Sequence, residues 1–199
     1  MSSPSRLLAH RARSALRVAA LAVWVGAGAC ASAPPGAPVA AGEVLSGRSE
    51  SFTFTAPEGG WSRLAPGSLG SADSDIELIA RDHRSKVVAY LHRGAENSLD
   101  TVVAGRRAEM RAGYRVESIR EDRSLLPGTS YLAASTTRYV LVETRSGQRV
   151  HVWVRTARSA DGIVEVIALT LPGEARERSL RRMLSSLRVR ASTKAAGPS

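Results

Sequence analysis

Cysteine is almost absent: the 199-residue chain has one, Cys30. A lone cysteine excludes a disulfide within the chain and any site built from several thiolates. Lysine is nearly as scarce. Only Lys86 and Lys194 occur among 28 basic residues, so arginine carries the positive charge. Aromatic residues make up 5% of the chain, so each large ring is a candidate core anchor. Common catalytic and metal-binding patterns are also missing. There is no Gly-x-Ser-x-Gly elbow, no phosphate-binding glycine loop and no His-x-x-x-His pair. Nothing in the sequence asks for a cofactor or a metal.

What is present begins with an export signal. Arg6, Arg11, Arg13 and Arg17 form a basic n-region with no acidic residue. Val18-Ala19-Ala20-Leu21-Ala22-Val23-Trp24-Val25 follows as an apolar h-region. It is too short for a membrane-spanning helix, which needs about 20 apolar residues. Small residues then lead into the only cysteine, as Val25-Gly26-Ala27-Gly28-Ala29-Cys30.

That ending resembles the lipobox of bacterial lipoproteins, with Ala27 where the family usually has leucine. The resemblance implies a diacylglyceryl group on the Cys30 thiol and cleavage just before it. It also implies an acyl chain such as palmitate on the new amino terminus. Two or three chains on one residue make a stable membrane anchor, whereas one chain binds reversibly. The alternative is an ordinary cleavable signal followed by an incidental cysteine. Ala31 after Cys30 lacks the aspartate that holds many lipoproteins at the inner membrane. The expected location is therefore the outer membrane, facing the periplasm.

Cleavage would remove four of the 28 basic residues, leaving 24 against 18 acidic. The mature chain would then carry about +6. Such a surface attracts anions. Export removes nucleic acid as a partner and leaves a protein or an anionic envelope component, besides the lipid at Cys30.

The chain divides on composition. Residues 1–29 read as the signal. Residues 30–46 read as the lipidated cysteine and a flexible linker, rich in proline and alanine. Residues 47–190 read as one domain, and residues 191–199 as a disordered tail. Within the domain, Ser51-Phe52-Thr53-Phe54-Thr55 alternates as a half-buried strand does. Pro57 and Gly59-Gly60 end it, and Trp61 returns to the core. Strands are expected over 76–81, 86–92, 138–143, 149–155 and 163–171, with weak ones over 114–119 and 130–135. Asp82-His83-Arg84-Ser85 and Ser159-Ala160-Asp161-Gly162 read as turns. The strand 163–171 is the most apolar and is expected to lie centrally.

Two helices are expected. Residues 99–112 carry an apolar stripe of Leu99, Val102, Val103 and Met110, with Arg106 snorkelling at its edge. Asn97 or Ser98 can cap that helix, and Gly113 can stop it. Residues 174–187 place Leu180, Met183, Leu184 and Leu187 on one face. Arg176, Arg178, Arg181 and Arg182 lie on the other. The sum is an α+β domain, an antiparallel β-sheet with two main helices packed on it.

This order of elements resembles the PsbP-like fold, shared by the Mog-type Ran-binding proteins, the photosystem protein PsbP and the DcrB-type lipoproteins. Phe52, Phe54, Pro57, Gly60, Trp61 and the two helices carry the likeness. It implies a protein that binds other proteins or assists assembly, with no active site to carry across.

The remaining candidates are surface groups. His83, His92 and His151 lack metal-ligand spacing. His151 shares a strand face with Arg149, Trp153 and Arg155. An open face would be a binding surface, whereas a face under the closing helix would make Trp153 core. Arg149, Arg155, Arg176 and Arg182 are the binding residues expected for an acidic partner. Gly67-Ser68-Leu69-Gly70-Ser71 reads as a flexible polar loop. The expected function is a non-catalytic binding or assembly module. A small envelope hydrolase, with a site that converges only in three dimensions, is the alternative.

Overall fold

The most apolar stretch, β10 (Gly162–Thr170), runs through the middle of an eight-stranded antiparallel sheet. Eight of its nine residues are buried, because helices or loops cover both faces of the sheet there. The computed structural model describes residues 36–47, 50–69, 73–94, 97–125 and 133–190. The signal, Cys30 and the 191–199 tail lie outside the described residues.

In chain order the strands are β1 (Ala37–Val39), β2 (Val44–Ser46), β3 (Phe52–Thr55), β4 (Trp61–Leu64), β5 (Ser74–Ala80) and β6 (Ser85–His92). Helix α1 (Leu99–Gly113) follows, then β7 (Arg115–Leu125), β8 (Ala133–Val142), β9 (Arg149–Ser159) and β10. Helix α2 (Glu174–Ser185) and the short β11 (Arg188–Val189) complete the chain. The large sheet has the order β1-β4-β5-β6-β10-β9-β8-β7. A second sheet has the order β11-β3-β2 and is also antiparallel. The fold is therefore α+β, mostly antiparallel sheet, with two helices.

Each face of the large sheet has its own core. On one, Trp61, Ile76, Leu78, Trp153, Val164 and Val166 meet Phe52 and Phe54 of the small sheet and Leu180, Met183 and Leu184 of α2. On the other, Tyr139, Leu141, Val152, Val154 and Ile167 meet Met110 of α1 and Tyr114 just after it. The turn between β9 and β10 needs a glycine. Gly162 has φ 147°, and a Cβ there would stand 2.2 Å from the His92 carbonyl oxygen.

Four expectations need correction. Residues 37–46 are not all linker, because β1 pairs with β4 and β2 pairs with β3. Proline at position 38 is tolerated because β1 is an edge strand. The weak strands are longer than expected. β7 reaches Leu125, and the segments around 133–135 and 138–142 are one strand, β8. The loop 65–69 is not a free polar loop. The buried Glu77 carboxylate accepts from the backbone N–H of Gly67 at 2.9 Å and Leu69 at 2.7 Å, and from the Ser74 hydroxyl at 2.6 Å. A glycine-containing turn here cradles an internal anion.

The fourth correction concerns Arg106. It does not snorkel at the rim but is 8% exposed and forks onto Glu165 of β10. Nε donates to Oε1 at 2.9 Å and Nη2 to Oε2 at 2.7 Å. His92 meets the same carboxylate at 3.0 Å. Burial pushes the Glu165 carboxyl up, but the Arg106 charge and hydrogen bonds reverse that and hold it down at about 2. A carboxylate in the most apolar strand is affordable only with such a partner.

Candidate functional site

The β7–β8–β9 end of the sheet gathers charged groups on one face. On the α2 face, cross-strand register sets Arg120 of β7 opposite Arg138 of β8, and Arg138 opposite Trp153 of β9. One step along, Asp122 faces Thr136, and Thr136 faces Arg155. Two like charges directly opposite on neighbouring strands repel. Helix α2 lies beside this patch, held by its buried Leu180, Met183 and Leu184. Arg181 and Ser185, next to that apolar face, overhang the strands.

Together these residues line a groove of about 360 Å³: Arg120, Asp122, Thr136, Arg138, Trp153, Arg155, Arg181, Leu184 and Ser185. Four arginines stand against one aspartate. Trp153 is 3% exposed and packs in the α2-side core, so the closing helix does cover it. Its ring still shapes the groove through Arg138, whose guanidinium lies 5.5 Å from the ring centroid. Glu177 of α2 steadies that arginine from behind at 3.7 Å and meets Nδ1 of His151 at 2.7 Å.

Arg155 is the informative member. It is 9% exposed, and Nη1 donates to the Thr136 hydroxyl at 2.8 Å. Its Nε is buried with no hydrogen-bond partner. No carboxylate among the described residues pairs with it. Burial pushes its guanidinium below the ordinary arginine value, and neighbouring Arg188 pushes the same way. A buried cation disfavoured further by another cation is costly, and an incoming anion would relieve it.

The four arginines expected from sequence are not brought together. Only Arg155 lines the groove. Arg149 pairs with Glu117 at 2.9 Å on the β7 rim. Arg176 and Arg182 of α2 reach instead toward the turns after β5 and β3. Arg176 pairs with Asp82 at 3.2 Å and lies over Trp61, and Arg182 reaches Glu58 at 3.4 Å. The depression beside them holds Glu58, Asp82 and Glu174 against Arg176, so its charge balance is opposite to that of the groove.

Arg120, Arg138, Arg181 and Thr136 were not singled out from sequence. The missing signal was register. β7 is joined to β8 through residues 126–132, and no pattern in the chain told which arginine would face which. His83 takes a left-handed conformation, with φ 58°, in the β5–β6 turn. His92 and His151 are each tied to a carboxylate, Glu165 and Glu177. The groove lining includes two hydroxyls and a carboxylate but no histidine. No group of His, Cys, Asp and Glu among the described residues is placed to hold a metal ion. None of the described helices is long and apolar enough to cross a membrane.

Comparison with known proteins returns no match, either to a protein-family model or to a curated protein.

Proposed function

We propose that this is a bacterial envelope lipoprotein, anchored through acylated Cys30, whose folded domain is a non-catalytic binding or assembly module for an acidic partner. The outer membrane, with the domain facing the periplasm, is its proposed place. The PsbP-like resemblance is part of the same proposal. The anchor rests on the basic n-region, the apolar h-region and the small residues leading into Cys30. The binding role rests on one observation above all: Arg155 is buried in a groove with three other arginines and has no anionic partner among the described residues. A binding site keeps such a cation ready at the expense of the free protein's stability.

Two measurements test the proposal separately. Detergent phase partition should send the wild-type chain to the detergent phase and Cys30→Ala to the aqueous phase. A wild-type chain in the aqueous phase would refute the anchor. For the binding role, the lipidated protein is cross-linked in its own envelope, with Arg181→Glu and Arg178→Glu compared. Arg181 lines the groove, whereas Arg178 pairs with Glu174 on the exposed side of α2. Loss of cross-linked partner with Arg181→Glu alone supports the groove. Equal capture by both variants refutes it.

A further inference from the structure

We infer that the groove is a site for a phosphate monoester carried on a compact polar group of about the size of a sugar. The inference rests on the binding role proposed above and names the chemistry that the site would take.

Charge comes first. Asp122 pairs with Arg120 and Glu177 behind the groove pairs with Arg138, each at 3.7 Å, which leaves Arg155 and Arg181 of the lining with no carboxylate partner among the described residues. A single incoming carboxylate would leave one of those two cations uncompensated. A phosphate monoester carries roughly −1.5 to −2 near neutral pH and offers three strong acceptor oxygens. It is the better match in both charge and acceptor count.

Donor geometry points the same way. All four cations are arginines, whose planar forks present paired N–H groups to phosphate oxygens. Thr136 holds one end of the Arg155 fork at 2.8 Å, which orients the guanidinium before any ligand arrives. Arg138 is likewise held, between the Trp153 ring and Glu177. Arg155 Nε is the donor still unsatisfied. The hydroxyls of Thr136 and Ser185 add neutral donors to the lining.

Size decides what the phosphate is attached to. The groove holds about 360 Å³. A water molecule's share of liquid volume is about 30 Å³, so a bare phosphate would leave much of the groove filled with water. Small-molecule sites start at about 300 Å³. Trp153 and Leu184 are buried beneath the groove and expose little apolar surface, so the group that fills it is polar.

The local sequence bears the cost of this arrangement. Arg120 and Arg138 stand opposite each other and each draws on one carboxylate at 3.7 Å, whereas Arg155 has none and is disfavoured further by Arg188. Arg106, by contrast, is matched to the buried Glu165 at 2.7 Å. A buried cation left without a carboxylate fits an anion that arrives from outside.

The test is titration calorimetry on the lipidated full-length mature protein in detergent micelles. The ligands are glucose 6-phosphate, inorganic phosphate, glucose and a hexaglutamate peptide. Glucose 6-phosphate should bind saturably, inorganic phosphate more weakly, and glucose not at all. Binding should weaken as pH falls through about 6, where the monoester loses its second charge. Arg155→Met and Arg181→Glu should each weaken it by about tenfold or more. Arg178→Met should leave it unchanged. Arg181 is exposed, so its variant keeps the test valid if Arg155→Met disturbs folding.

Vesicles of phosphatidylcholine with and without phosphatidic acid separate the two sources of the group. Binding to the phosphatidic acid vesicles in addition to glucose 6-phosphate assigns the phosphate to a lipid headgroup. Binding to glucose 6-phosphate alone assigns it to a soluble or polymer-borne ester. If hexaglutamate binds through Arg155 and no phosphate does, the monoester inference is wrong and the acidic-partner reading stands. If no anion binds and the Arg181→Glu cross-linking is also unchanged, both are wrong.

Discussion

Glu165 and Arg155 are both buried at electrostatic cost, and they resolve it in opposite ways. Glu165 is fully buried and satisfied by Arg106 and His92. Its folded-state pKa, about 2, lies below the ordinary value of 4.5. The stabilisation is therefore complete above about pH 4.5 and is lost as pH falls toward about 2. Arg106→Met removes the counter-charge and leaves a buried carboxylate. It should cost about 3–5 kcal/mol near neutral pH and less as pH falls and the carboxylate takes up a proton, read by denaturation across a pH series. A cost that stays constant across the series would show that the Glu165 charge does not set it. Arg155 is buried without such a partner. Arg155→Met should therefore stabilise the ligand-free protein, by about 1 kcal/mol, in urea denaturation. A destabilisation of similar size would mean that the guanidinium is satisfied within the fold.

At the scale of elements, α2 is the part that the sequence described best. Its stripe of Leu180, Met183 and Leu184 is buried as the spacing demands, and Leu187 is buried just past the helix end. Leu180→Ala should cost about 2–5 kcal/mol by chemical denaturation. Arg178→Ala, at an exposed i,i+4 pair, should stay within about ±0.5 kcal/mol. Equal effects would remove the assigned face. The central strands were legible for the same reason: a strand buried on both faces is a run of apolar residues, as in 163–169, broken only by Glu165. Strands β1 and β2 were not legible. They are three residues each and gain their stability by pairing with β4 and β3, which a local pattern does not record. The charged strand β7, Arg-Val-Glu-Ser-Ile-Arg-Glu-Asp-Arg-Ser-Leu, runs past the expected 114–119 because edge strands carry charge instead of alternation. The groove was illegible on similar grounds. Arg155 could be picked out beside Trp153, but its neighbours Arg120 and Arg138 come from other strands, and only register assembles them.

At the scale of the whole molecule, the sheet order separates the groove from the edge nearest the proposed anchor. Cys30 and Ala37, where β1 begins, are seven residues apart, so the covalent chain between them spans at most about 25 Å in any conformation. β1 is one edge of the large sheet and β7 is the other. Seven inter-strand steps of about 4.8 Å place the groove edge about 34 Å from the β1 edge. With the proposed anchor at Cys30, a domain held this closely would keep its β1 edge at the bilayer and turn the groove away from it. The competing force is the attraction of four groove arginines to anionic headgroups, which acts over a Debye length of about 8–10 Å and weakens as salt rises. With Cys30 acylated, an introduced cysteine is the only free thiol, so single dyes can be placed at exposed Ala41→Cys and at Arg120→Cys on the groove rim. Energy transfer from each dye to a lipid acceptor reports its height above the membrane. Transfer should be stronger from position 41 than from position 120, in vesicles with and without anionic lipid, and indifferent to salt. Equal transfer from the two positions at low salt, diverging at high salt, would mean that the groove is drawn down onto its own bilayer and that its ligand lies there.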